Sequence, residues 1–237
     1  MKTVKHTADS RGHANHGWLK SYHSFSFAGY QNPERMNFGV LRVLNDDIVK
    51  PKMGFGTHPH QNMEIISIPL KGALSHKDSM NNKRAIEVGE VQVMSAGTGL
   101  THSEFNDSKT DEVNFLQLWI IPEEKNVKPN YEQKAFDLSQ RENNFQTVVS
   151  PQDKLVEGSL GIHQQASIHL GNFDKDSIVK HSIEVGKGSY VFLLEGEVEV
   201  NGEILSKRDA LGVWKTDSIH IKANKNSEIL LIDVPMI

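Results

Sequence analysis

Short apolar runs separated by glycine, asparagine and proline dominate the chain: Phe38–Leu44, Met63–Leu70, Val91–Met94, Asn114–Ile121, Tyr190–Val200 and Glu228–Val234. Runs of this length, rich in Val, Ile and Phe and bounded by turn formers, predict a β-sandwich or barrel. Helical periodicity is scarce. The polar segment around Gln133–Arg141 is its best candidate, as a short helix or as a plain crossing between halves. Two turns repeat one device: Pro69-Leu-Lys-Gly72 ends one apolar run, and Leu194-Glu-Gly196 ends another before Glu-Val-Glu-Val-Asn-Gly202. Two similar β-domains are therefore expected. The stretch Glu123–Gln152 is polar, lacks alternation and is punctuated by Pro122, Pro129 and Pro151. The expected division is residues 1–128, a linker at 129–148, and residues 149–237.

The 237 residues allow one large or two ordinary domains with a substantial core, so folding needs no metal or disulfide. A formal net charge of -4, with both signs interspersed and no basic run, argues against a direct nucleic-acid partner. With no cysteine, disulfides, thiolate nucleophiles and Cys-ligated zinc or iron–sulfur sites are excluded. Any metal must take nitrogen and oxygen ligands. Met1–Asn15 is polar, and no stretch approaches the apolar length of a membrane span, so the expectation is a soluble, cytoplasmic protein.

Twelve histidines matter only through their spacing. In a strand, residues two apart share a face, so His58 and His60 in Gly56-Thr-His-Pro-His60 can aim both imidazoles into one cavity. Pro59 lacks an amide donor and fits an edge or irregular strand. Thr101-His-Ser-Glu104 repeats the arrangement with His102 and Glu104. Three imidazoles and a carboxylate suit Fe(II), Ni, Mn, Cu or Zn, and fewer than six protein ligands leave positions open for water or substrate.

Four segments, Trp18–Ala28, Leu41–Asp47, Gly54–Glu64 and Met94–Glu104, together resemble the pattern of bacterial pirins, and Gly54–Gly72 and Gly89–Asn106 resemble the two cupin motifs. The resemblance covers about the first half of the chain. It implies an all-β bicupin: two jelly-roll β-barrel domains with minor helix. It also implies one divalent transition metal in the N-terminal barrel, held by His58, His60, His102 and Glu104, with Fe(II) foremost and Ni, Mn, Cu, Co or Zn as alternatives. Glu64 follows His60 by four residues and occupies the place of a glutamate ligand in many other cupins. Because the pirin-type His-Ser-Glu offers Glu104, Glu64 is expected instead to hydrogen-bond beside a liganding imidazole. With Gly196 laid on Gly72, the positions matching His58 and His60 are Ser182 and Glu184. The C-terminal barrel is therefore expected to be a degenerate cupin without metal.

The remaining residues read more plainly. His163, His169, His181 and His220 are scattered, and His23 and His76 lack same-face partners, so all six read as solvated or structural. Trp18, Phe25, Phe27 and Tyr30 read first as core or interdomain packing and second as the entrance for a planar substrate, Arg42 with Asn45, Asp46 and Asp47 as a turn, and Gly97-Thr-Gly99 as a tight turn before the ligands. The resemblance implies an oxygenase like quercetin 2,3-dioxygenase. Such an enzyme cleaves a small planar flavonol-like substrate with dioxygen and releases carbon monoxide, and Glu104 would serve as ligand and catalytic base. The alternative is a metal- or redox-sensing regulator acting through a protein partner.

Overall fold

A computed structural model describes residues 1–237, and strands account for nearly all of the regular structure. No helix is long and apolar enough to cross a membrane. The first seven-stranded sheet runs in the order Asn130–Ala135, Glu90–Ser95, Glu64–Lys71, Val113–Ile120, Leu41–Val49, Leu19–His23, Gly12–Asn15. It faces a four-stranded sheet ordered Gly54–His60, Leu100–Asn106, Ala73–Asp78, Lys83–Glu87. The second half repeats this plan. Its seven-stranded sheet runs Lys2–His6, Ala210–Trp214, Lys187–Glu195, Ser227–Pro235, Ser167–Phe173, Phe145–Pro151, Leu160–Ile162, and its four-stranded sheet Ile178–Ser182, Ser218–Ala223, Glu197–Val200, Glu203–Ser206.

The shared turn device is visible at Gly72 (φ 76°) and Gly196 (φ 94°), each of which reverses the chain between the large and the small sheet of its half. A side chain there would face left-handed backbone strain, and at Gly196 a Cβ would also collide with Ser227. Strand pairing crosses the sequence division at both ends. Lys2–His6 pairs with Ala210–Trp214 in the second half, and Asn130–Ala135 pairs with Glu90–Ser95 at the edge of the first. The segment 129–148 thus holds a strand, a 3-10 turn at Leu138–Arg141 and the start of Phe145–Pro151, so Gln133–Arg141 is not an α-helix.

The cores explain what each half can do. The largest apolar cluster lies between the two seven-stranded sheets, joining Phe25, Ile66, Leu116 and Leu118 of one half to Val149, Ile168, Tyr190 and Leu230 of the other. Each such aliphatic side chain, fully buried, contributes about 1.5–3 kcal/mol relative to exposure. Within the second barrel a single cluster of 14 buried apolar residues, including Val191, Leu193, Leu211 and Ile229, fills the interior. The first barrel holds only two small clusters, of 6 and 4 residues, set apart from each other. Polar side chains are buried in this barrel as well: Ser67, His76, His102, Glu104 and Gln117. A barrel that forgoes apolar filling must satisfy those groups in some other way.

Candidate metal centre

Gly54–His60 is the edge strand of its sheet, which accommodates the missing amide of Pro59. Along it Thr57 and Pro59 are exposed while His58 and His60 are partly buried, as the two-residue spacing requires. The neighbouring strand Leu100–Asn106 pairs His102 with His58 and Leu100 with His60, and buries both His102 and Glu104. A bulge follows: from His102 to Glu104 the chain advances two residues while its partner advances three, from His58 to Phe55. Such bulges re-aim side chains where a ladder passes a site.

The three imidazoles converge. Ring centroids of His58 and His102 are 4.5 Å apart, and those of His60 lie 4.9 Å from each. One nitrogen from each of the three falls within 4.8 Å of the other two. His58 Nδ1 lies 2.8 Å from the Gly56 carbonyl; donating to it leaves Nε2 as the free lone pair, the usual way a backbone group fixes a liganding tautomer. Both nitrogens of His102 are buried without a hydrogen-bond partner. Burial, and then the neighbouring His58, His60 and His76, lowers the His102 pKa to about 2; burial and His58 lower that of His60 to about 4. Both rings are neutral at pH 7, the form that binds metals. An orphaned, neutral imidazole buried between two others is costly unless a cation receives its lone pair. The donor set therefore fits a divalent transition metal.

Glu104 is buried beside this trio, within a second, overlapping group formed with His76 and His102. The Ser67 hydroxyl donates to its Oε1 at 3.1 Å and the Gln117 amide to its Oε2 at 2.6 Å. Burial pushes its pKa above the ordinary carboxylate range, against the pull of nearby His76 and of these two hydrogen bonds. His76, expected to lack a same-face partner, lies beside the centre. It pairs in register with Glu104, and its ring lies 5.4 Å from that of His102. Its Nε2 lies 3.1 Å from Asp78 while Nδ1 has no partner. The inward alternation Leu74, His76, Asp78 is the sequence signal for it.

Glu64 departs from expectation. Its carboxylate accepts from the Ser95 hydroxyl at 2.6 Å and also meets His163, and it joins neither histidine group. The chain turns at Asn62 (φ 48°) between the two strands, so a four-residue offset from His60 does not carry strand parity across.

Over the centre opens a cavity of about 740 Å³, lined by His58, His60 and Glu104 together with Trp18, Phe27, Tyr30, Phe55 and Trp119. Its size and apolar walls with a few convergent polar groups are those of a small-molecule site. Of the aromatic set, only Phe25 serves as plain core; Trp18, Phe27 and Tyr30 form cavity wall. The Trp119 ring stands 5.0 Å from that of His60, and 5.3 Å from Phe27. His23, Asn45 and Asp47 also face the cavity, and the last two lie within the strand Leu41–Val49 rather than a turn. Burial, reinforced by Asp46 and Glu104 and opposed by a hydrogen bond with Ser21, raises the Asp47 pKa to about 7. Polar side chains in mid-strand, Asn45-Asp46-Asp47, are the signal that a sheet face here borders something other than core.

In the second barrel the histidines divide. His220 is exposed and His163 stands 3.7 Å from Glu124, whereas His169 and His181 meet at Asp233 instead of lying scattered.

Fold and site together define a bicupin with a histidine-rich centre in its first barrel and an apolar second barrel. The chain belongs to the pirin family: the family model Pirin matches residues 4–120, and that of the quercetinase C-terminal cupin domain matches residues 147–234. It is 45% identical over 228 residues to a quercetin 2,3-dioxygenase of Escherichia coli strain K12, covering 96% of each chain. A pirin-like protein of Caulobacter vibrioides is 37% identical, with 95% of this chain and 96% of that one covered. The crystal structure of the bacterial pirin YhhW from Escherichia coli in complex with nickel(II) superposes with a TM-score of 0.94 at 42% identity, over 100% of both chains.

Proposed function

We propose that this chain is a metal-dependent dioxygenase that opens the heterocyclic ring of a flavonol with dioxygen and releases carbon monoxide. In this reading His58, His60, His102 and Glu104 hold one divalent transition metal, Fe(II) foremost and Ni, Mn, Cu, Co or Zn as alternatives. The observation that carries it is the orphaned, neutral His102 beside His58 and His60, under a cavity walled by aromatic rings. The quercetin 2,3-dioxygenase name of the Escherichia coli relative and the nickel(II) complex of YhhW support the substrate class and the kind of ion.

A divalent ion at these nitrogens supplies Lewis acidity, lowering the pKa of an enolic hydroxyl brought to it. The protein does the rest. Trp18, Phe27, Tyr30 and Trp119 offer flat apolar faces that position a planar substrate and exclude water. Glu104 accepts the substrate's hydroxyl proton at a carboxylate oxygen. Ser67 and Gln117 hold that carboxylate in place before and after transfer.

Glu104→Gln tests the role directly. Glutamine keeps the shape and one oxygen donor but cannot take the proton. The metal-loaded variant should still bind a flavonol while turnover falls roughly 100-fold or more, the scale of a lost general base. Turnover at the wild-type level would remove Glu104 from that role.

A further inference from the structure

Three strands of the second barrel bring together His169 from Ser167–Phe173, His181 from Ile178–Ser182 and Asp233 from Ser227–Pro235. We propose that these side chains form a second site for a borderline divalent ion such as Zn(II), Co(II) or Ni(II), independent of the centre in the first barrel. One ligand atom from each lies within 4.8 Å of the other two. Asp233 Oδ2 is 2.7 Å from His181 Nε2 and 3.3 Å from His169 Nε2. Adjacent ligands on an ion with bonds of about 2.0–2.2 Å sit about 3.0–3.5 Å apart, so the trio needs only small shifts to close on one.

The outer atoms of the trio are already engaged. Thr147 Oγ1 lies 3.0 Å from His169 Nδ1, and the Ser189 hydroxyl donates to Asp233 Oδ1. These contacts turn His169 Nε2 and Asp233 Oδ2 toward the common point, as outer partners do for liganding imidazoles and carboxylates. A purely structural network would satisfy both rings. Here His181 Nε2 is hydrogen-bonded to Asp233 Oδ2 at 2.7 Å, while the buried His169 Nε2 stands farther from the same oxygen, at 3.3 Å, outside hydrogen-bond geometry.

The surroundings reinforce this. The side chains are only 12, 14 and 12% exposed for His169, His181 and Asp233, and the Phe145 ring packs against both imidazoles. They border a barrel interior otherwise filled by aliphatic residues, where an unsatisfied polar group costs several times what a hydrogen bond returns. The site is no remnant of the first one. It draws a ligand from each of three strands, two in the large sheet and one in the small, whereas His58, His60 and His102 come from two strands of the small sheet. Ser182 and Glu184, the positions matching His58 and His60, are exposed. An ion here would tie the edge strand Ile178–Ser182 to the large sheet, and so stabilise the second barrel.

The full-length protein, stripped of metal and titrated with Zn(II), distinguishes the possibilities by bound ions counted after dialysis. Wild type should hold two per chain, and the triple variant His58→Ala, His60→Ala, His102→Ala should hold one. Adding His169→Gln to that triple variant should abolish the remaining ion and the rise in melting temperature that Zn(II) produces. No ion held by the triple variant, or an ion that survives His169→Gln, would each overturn the proposal. Should the combined variant fail to fold, Co(II) bound to the triple variant gives a second test. Its visible bands should shift on Asp233→Asn, and unchanged bands would overturn the assignment.

Discussion

Gln117 donates its side-chain amide to Glu104 Oε2 at 2.6 Å, and its own carbonyl accepts from the Trp119 indole at 3.2 Å, linking the carboxylate of the centre to the aromatic wall of the cavity. Gln117→Leu should leave that oxygen of Glu104 buried without its donor. The expected cost is about 1–3 kcal/mol in metal-free stability and roughly 10- to 100-fold in metal affinity, read by thermal unfolding and metal titration. Unchanged affinity would show that the bond does not orient Glu104.

His102→Ala should remove one bound ion per chain and leave the fold intact. The apolar clusters of the first barrel do not include His102, so circular dichroism should match wild type while stoichiometry falls. Retained occupancy at the first centre would contradict the assignment.

Two buried groups should bend metal-free stability in opposite directions with pH. Burial, then Arg35, lowers the His6 pKa from 6.5 to about 4, so between these values the unfolded chain binds the proton and the native chain does not. Its contribution is present above pH 6.5 and lost as pH falls toward 4. Asp47, raised from 3.8 to about 7, holds a proton in the native chain where the unfolded chain has lost it, so its contribution declines as pH rises between those values. Denaturant unfolding across pH 4 to 7 checks both. Relative to wild type, His6→Gln should make the slope of stability against pH less positive and Asp47→Asn should make it more positive; identical slopes would contradict the burial of either group.

Much of this architecture was legible in the chain. His58 and His60 announced themselves because strand parity is local, and Pro59 marked the edge strand that carries them. Gly72 and Gly196 revealed the duplication because a left-handed turn restricts residue choice. What eluded the sequence depends on contacts between distant strands. His76 reaches the centre through its register with Glu104, and His169 meets His181 only because separate sheets close on each other. Glu64, expected beside a liganding imidazole, bonds Ser95 instead, because the chain turns at Asn62 between it and His60. Pairing of Lys2–His6 with Ala210–Trp214 spans nearly the whole chain and leaves no local mark.

Carbon monoxide yield tests the central claim most directly. Protein stripped of metal, loaded separately with Fe(II), Ni(II), Mn(II), Cu(II), Co(II) or Zn(II) and checked for occupancy of the first centre, is mixed with quercetin and air. At least one loaded form should consume flavonol and dioxygen and release carbon monoxide in proportion, and His102→Ala should abolish the reaction. Full occupancy with every ion and no oxygen-dependent flavonol loss or carbon monoxide would contradict the account.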